Sequence, residues 1–242
     1  MSAPRPLLLG EGERDVGRMT PGERRRPPCD FEGDLPRLVR RLSELAGGPP
    51  RFGYDAETLH AIAARIPRGG RPMRAGGKAK QLRDAVLAGL QDHAVVIALI
   101  DARAEELDGL RRDALEILAQ CRERHPDARV AIGLAVREIE AWMLADPQGR
   151  LAAFGPAVGA QPVPDDLEDL GDPKALWRER AGQCPPPGPA DAALHADTQR
   201  CKAWESARPE VLRRVCPKGF PPFADAVEGV MLGIPRAARG RG

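Results

Sequence analysis

Five carboxylates stand where side chains of their kind can do chemistry: Glu11, Asp15, Asp101, Glu138 and Glu140. Glu11 lies in L-L-L-G-E-G-E-R-D, residues 7 to 15, between Gly10 and Gly12, two glycines that let the backbone turn tightly after three leucines. If the chain enters a helix after Gly12, residues four apart share a face, and Glu11 and Asp15 can reach one metal ion. The same stretch reads more plainly as a helix start, with Glu13 and Asp15 favoured there by the helix dipole. Asp101 closes A-V-V-I-A-L-I-D. A charge directly after such an apolar run is costly to place unless solvated or used, so Asp101 is a crevice acid or the N-cap of the next helix. Glu138 and Glu140 follow the apolar run V-A-I-G-L-A-V. There a strand hands over to a helix, and open α/β sheets bind their ligands beyond the carboxyl ends of strands. On a regular helix residues 138 and 140 point about 200° apart, so only one of them serves a given site.

The cations cluster elsewhere. Residues 65 to 83 contain Arg65, Arg68, Arg71, Arg74, Lys78, Lys80 and Arg83 and no acid, with glycine pairs at 69–70 and 76–77. Such a segment suits contacts to a phosphate backbone, with Arg71, Arg74, Lys78 and Lys80 the candidate nucleic-acid contacts; a solvated arginine-rich loop is the competing account. Its G-G-K is not a P-loop, since the spacing and the hydroxyl that follows are missing. His60 has no second ligand at metal-binding spacing, and Cys184, His195 and Cys201 are too far apart and lack a fourth donor.

Periodicity supplies the elements that must position these residues. Leu7 to Leu9, the run ending at Asp101 and the run ending at Val136 read as buried strands. Helices are predicted over about 35–45, 55–65, 80–90 and 104–124, the last with Leu107, Leu110, Leu115 and Leu118 inward, and another after Val136 with Ile139 and Met143 on its apolar face. Trp142 joins that face and reads as a core anchor. Residues 16–34 read as a loop, and 155–200, rich in Pro and Gly, as mostly irregular apart from a short helix capped by Asp172 and opened by Pro173. Helices over about 209–215 and 222–232 and a basic tail complete the chain. Alternating strands and helices call for a parallel sheet.

With 242 residues the chain can bury a proper core, and 42% hydrophobic content supports a folded protein. Its 37 Lys and Arg nearly cancel 35 Asp and Glu, so no global field drives it onto DNA or a membrane, and any nucleic-acid contact must be local. No apolar run of about 18 residues is present, and the start M-S-A-P-R-P lacks the longer apolar segment expected of a secretory signal. Five cysteines without C-x-x-C argue against a disulfide framework and a zinc ribbon. The expected setting is the cytoplasm. The wealth of Ala, Arg, Gly and Pro fits a GC-rich bacterial genome.

Taken together, L-L-L-G-E-G-E-R-D, the strand ending in Asp101, V-R-E-I-E-A-W-M-L-A-D, G-D-P-K-A-L-W and C-P-K-G-F-P-P-F-A-D-A-V resemble the bacterial domain of unknown function 4276 family. That family is similar to Toprim folds, including the nuclease domain of overcoming-lysogenization-defect proteins, and is associated with phage defence and ATPase partners. The resemblance implies a Toprim-like α/β domain over residues 1–150 with a mostly parallel sheet flanked by helices, a helical and irregular extension over 151–234, and a basic tail over 235–242. It also implies a Mg²⁺-dependent nuclease or phosphodiester-processing protein. Glu11 and Asp15 match the family's E-G-x-x-[DE] element and Asp101 the first acid of its D-x-D element, while Arg103 stands where the second acid belongs. The implied metal ligands are Glu11, Asp15, Asp101 and Glu140, with Glu138 in reserve, and the implied catalytic acids are Glu11, Asp101 and Glu140. The alternative is a non-catalytic nucleic-acid-binding or partner subunit of an ATPase-containing defence system.

Overall fold

The computed structural model describes residues 5–17, 32–48, 52–63, 77–186, 188 and 192–232. Most of the segment expected as a loop over 16–34, most of the basic segment with Arg71 and Arg74, and the tail over 235–242 lie outside them. The protein is α/β: among the described residues four strands, all parallel, form one sheet in the order β2-β1-β3-β4, flanked by helices, and the C-terminal part is helical. The strands are β1 (Leu7–Gly10), β2 (Asp55–Thr58), β3 (Val95–Ala102) and β4 (Arg129–Val136). Leu7 of β1 stands opposite Asp55 of β2 on one side and Val96 of β3 on the other. Leu7, Leu8 and Leu9 are wholly buried, as are Val96, Ile97 and Ala98, which is why both strands read as unbroken apolar runs. No helix among the described residues is long and apolar enough to cross a membrane.

Several expectations need correction. Residues 55–65 are not one helix: D-A-E-T forms β2 beside β1, and only α3 (Leu59–Ala63) is helical. A four-residue strand with two acids has no apolar run to announce it; its backbone pairs with β1, which supplies the hydrophobicity. The region 155–200 is far more regular than its Pro and Gly content suggested. It holds the end of α7 (Pro147–Gly159), all of α8 (Pro173–Gly182) and much of α9 (Ala192–Ser206). Asp172 does cap α8, accepting the Ala175 amide at 2.7 Å. In α5 (Leu107–Arg124) the buried stripe runs Leu107, Leu110, Ala114, Ile117 and Cys121, while Leu115 is 67% exposed. Small residues in the stripe hid its register.

The chain divides into two compact units, one built from the described residues of 1–100, 108–133 and 225–242, the other from 101–107 and 134–224. In the first, α2 (Asp34–Leu45) and α4 (Lys78–Gly89) pack on β1, and the four-residue α1 (Glu13–Val16) packs on α2. Close backbone approaches fix the turn after β1. A Cβ on Gly10 would lie 2.5 Å from the Cβ of Asp15, and one on Gly33 would lie 2.3 Å from the Asp15 carbonyl oxygen. Glycine at both positions lets α1 fold back over the strand end. Just beyond, buried Glu32 accepts the Tyr54 hydroxyl at 2.7 Å and a two-pronged contact from Arg40.

In the second unit, α6 (Ile139–Ala145) follows β4 and packs against α7, α8, α9 and α10 (Pro209–Val215). Trp142 is fully buried as predicted, with the Phe220 ring edge-on at 5.2 Å and the Phe223 ring stacked at 5.8 Å between centroids. Both phenylalanines open α11 (Phe220–Leu232). Asp146 caps α7 through the Gln148 amide and also binds the backbone and guanidinium of Arg208, which is the N-cap of α10. One carboxylate thus joins the starts of two helices.

Candidate functional site

The strand order reverses direction between β1 and β3, so the topological switch point of the sheet lies between those two strands. The chain leaves β1 through Gly10, Glu11 and Gly12, and β3 carries Asp101 one residue from its end. Glu11 thus directly follows the carboxyl end of β1, and Asp101 is the next-to-last residue of β3.

Glu11 precedes α1 rather than lying within it, so the face shared by residues four apart does not form. Its carboxylate is about one-third exposed and pairs with Lys78 Nζ at 3.4 Å, across to the first turn of α4. Asp15 sits on α1 and its Oδ2 accepts the Gly12 amide at 2.9 Å, the helix-start role that competed with metal ligation in the sequence. Lys80 lies exposed in the same first turn of α4 as Lys78. Beyond Asp101, Arg103 precedes a 3-10 turn over Ala104–Glu106, and Glu105 and Glu106 fall within that turn.

Glu138 is not helical. Its extended backbone makes it the N-cap residue of α6, so the angular argument separating it from Glu140 does not apply. Its Oε2 accepts the Lys174 amide at 3.0 Å and its Oε1 lies 3.5 Å from Lys174 Nζ, which fastens α8 to the start of α6. Glu140 is 2% exposed and its Oε1 accepts Arg200 Nη1 at 3.1 Å. Arg200, itself buried, lies with its guanidinium carbon 5.6 Å from the centre of the Trp177 ring. A buried charge pair of this kind is costly to open from one side.

Two groups that the sequence did not single out complete this region. Glu168, fully buried, accepts the amides of Lys218 and Gly219 at 2.7 and 2.8 Å. Burial pushes its carboxyl above the usual carboxylate range, and the two amide bonds pull the other way. Gly219 is required there, since a Cβ would meet the Leu134 carbonyl oxygen at 2.4 Å. Arg137 joins β4 to Glu138 with φ at 68°, the only positive φ at a non-glycine among the described residues. For a residue with a Cβ that region costs about 1–2 kcal/mol. The sole sequence cue was its place between a buried run and an acid, and dihedral strain leaves no compositional trace.

As donors, these carboxylates suit Mg²⁺, which prefers hard oxygen ligands. Their placement does not make a finished site. Glu138 and Glu140 are engaged by Lys174 and Arg200, and among the described residues no three Asp, Glu, His or Cys side chains are grouped to hold a metal ion. The histidine and cysteines dismissed as ligands make local contacts instead: His195 Nε2 lies 2.8 Å from the Cys184 carbonyl oxygen, and Cys201 donates to Glu205. No protein-family model, no curated protein and no solved structure matches the chain.

Proposed function

We propose that the protein is a Mg²⁺-dependent nuclease or related phosphodiester-processing protein of the Toprim-like, phage-defence kind that its sequence resembles, acting at the carboxyl ends of β1 and β3. The observation that carries this reading is the strand order β2-β1-β3-β4, which puts the switch point between the strand leading to Glu11 and the strand bearing Asp101. Glu11, Asp15 and Asp101 are the acids that would hold the ion. A bound Mg²⁺ would supply Lewis-acid stabilisation of the oxygens around phosphorus. Since no three such ligands are grouped among the described residues, the reading has substrate or a partner chain complete the coordination. Lys78 and Lys80, with Arg71 and Arg74 of the same basic segment, are the proposed nucleic-acid contacts. The setting we propose is the cytoplasm, with an ATPase on another chain.

A second reading is favoured by a separate observation: Glu138 and Glu140 are committed to ion pairs, and Arg103 occupies the position of the second acid. On it, the protein is a non-catalytic nucleic-acid-binding or partner subunit that keeps the fold.

Calorimetric titration of the wild type and of Asp101→Ala with Mg²⁺ and Mn²⁺ separates the two. Saturable binding lost in the variant, followed by metal-dependent cleavage of labelled DNA or RNA that Glu11→Ala abolishes, is expected on the first reading. Equal binding by wild type and variant would remove Asp101 from the site, and cleavage undiminished in Glu11→Ala would sink the nuclease assignment.

A further inference from the structure

Arg137 is held in a left-handed backbone conformation that glycine or asparagine would adopt at lower cost, and its position is fixed rather than loose. Its amide donates to the Ala102 carbonyl at 2.7 Å, so the residue is tied to the end of β3, one position beyond Asp101. The acids that follow Arg137 do not use its charge. Glu138 pairs with Lys174 and Glu140 with Arg200. Arg137 Nε is shielded from solvent and has no hydrogen-bond partner, and the guanidinium makes no ion pair among the described residues. The carboxyl of Asp169 is held low chiefly by a hydrogen bond from Lys218, with the Arg137 charge contributing from farther off. What remains is a strained backbone tied to the end of β3 that carries a guanidinium with no ion-pair partner among the described residues.

We propose that Arg137 binds a phosphate group of the substrate beside Asp101 at the carboxyl ends of β3 and β4, an inference that rests on the phosphodiester reading above. A guanidinium offers a rigid planar fork of N–H donors that matches two phosphate oxygens, and it stays charged at any working pH. Backbone strain retained at one arginine fits a side chain selected for where it must be aimed, because a purely structural residue at this position gains nothing from the cost.

Arg137→Gly separates aim from support, since glycine relaxes the left-handed backbone while deleting the fork. Anisotropy with a short fluorescein-labelled single-stranded DNA in Mg²⁺ should show affinity weaker by roughly tenfold to a hundredfold, the loss of a charged hydrogen-bonding group. Thermal melting of the same variant should be unchanged or higher, and Arg137→Lys should recover only part of the affinity. A variant that melts lower would show that the arginine supports the fold, and DNA affinity equal to wild type would also overturn the proposal. Calorimetry with Mg²⁺ tells this failure from a deeper one. Intact Mg²⁺ binding with unchanged DNA affinity removes Arg137 alone, whereas a wild type that binds neither Mg²⁺ nor DNA removes the phosphodiester reading and this inference with it.

Discussion

The acids after β1 and the acids of the 134–224 unit are the same chemical groups put to opposite uses. Glu11 is about one-third exposed and meets Lys78 at 3.4 Å in reach of solvent. Glu140, Asp146 and Glu168 are all at most 2% exposed, and their partners, the guanidinium groups of Arg200 and Arg208 and the backbone amide of Lys218, lie at least 50 residues along the chain. In the second setting each carboxylate is a bolt between segments, and removing Arg200 from Glu140 or Arg208 from Asp146 would leave a buried charge unpaired, so those pairs persist. In the first, water screens the pair and its formation or loss costs little. A residue that must exchange partners for a ligand belongs in the first setting.

The contrast is most easily broken at Glu140. Arg200→Met should destabilise the protein by about 3–5 kcal/mol in urea unfolding, and the double variant Glu140→Leu with Arg200→Met should recover most of that loss. A single-variant cost below about 1 kcal/mol would mean that the pair is not a bolt. Gly10→Ala comes next. Its Cβ would sit 2.5 Å from that of Asp15, and overpacking of this kind should cost about 1–3 kcal/mol in the same assay. A neutral result would show that α1 can shift to make room. The smallest effect is expected at Glu11→Gln, with less than about 1 kcal/mol lost, because the pair with Lys78 is partly exposed. A larger loss would place Glu11 among the structural acids and sharpen the contrast against the proposed site.

The sequence showed what hydrophobic burial writes into composition. β1, β3 and β4 appear as apolar runs because side chains on both faces are covered, and the start of α8 appears through Asp172 and Pro173 because capping is local chemistry. The β2 strand was hidden since its ladder with β1 is made by backbone, and D-A-E-T could equally open a helix. The α9 helix was hidden behind the proline-rich stretch before it. At the candidate site, Glu11 and Asp101 were legible because one directly follows a strand and the other nearly closes one, and Asp15 because it stands in the first turn of a short helix. The engagement of Glu140 was not, since no local pattern ties it to Arg200 sixty residues on.

The placement of the aromatic residues has a spectroscopic consequence. The protein's three tryptophans, Trp142, Trp177 and Trp204, all fall in the 134–224 unit and all are buried, while its single tyrosine, Tyr54, belongs to the other unit. Emission excited at the red edge, where tyrosine does not absorb, therefore originates wholly in one unit. Circular dichroism in the far ultraviolet averages over both. A denaturation curve followed by the two signals at once becomes a test of cooperativity without any label: superimposed curves mean that the units melt together, and separated ones assign the earlier or later transition to a specific half of the chain.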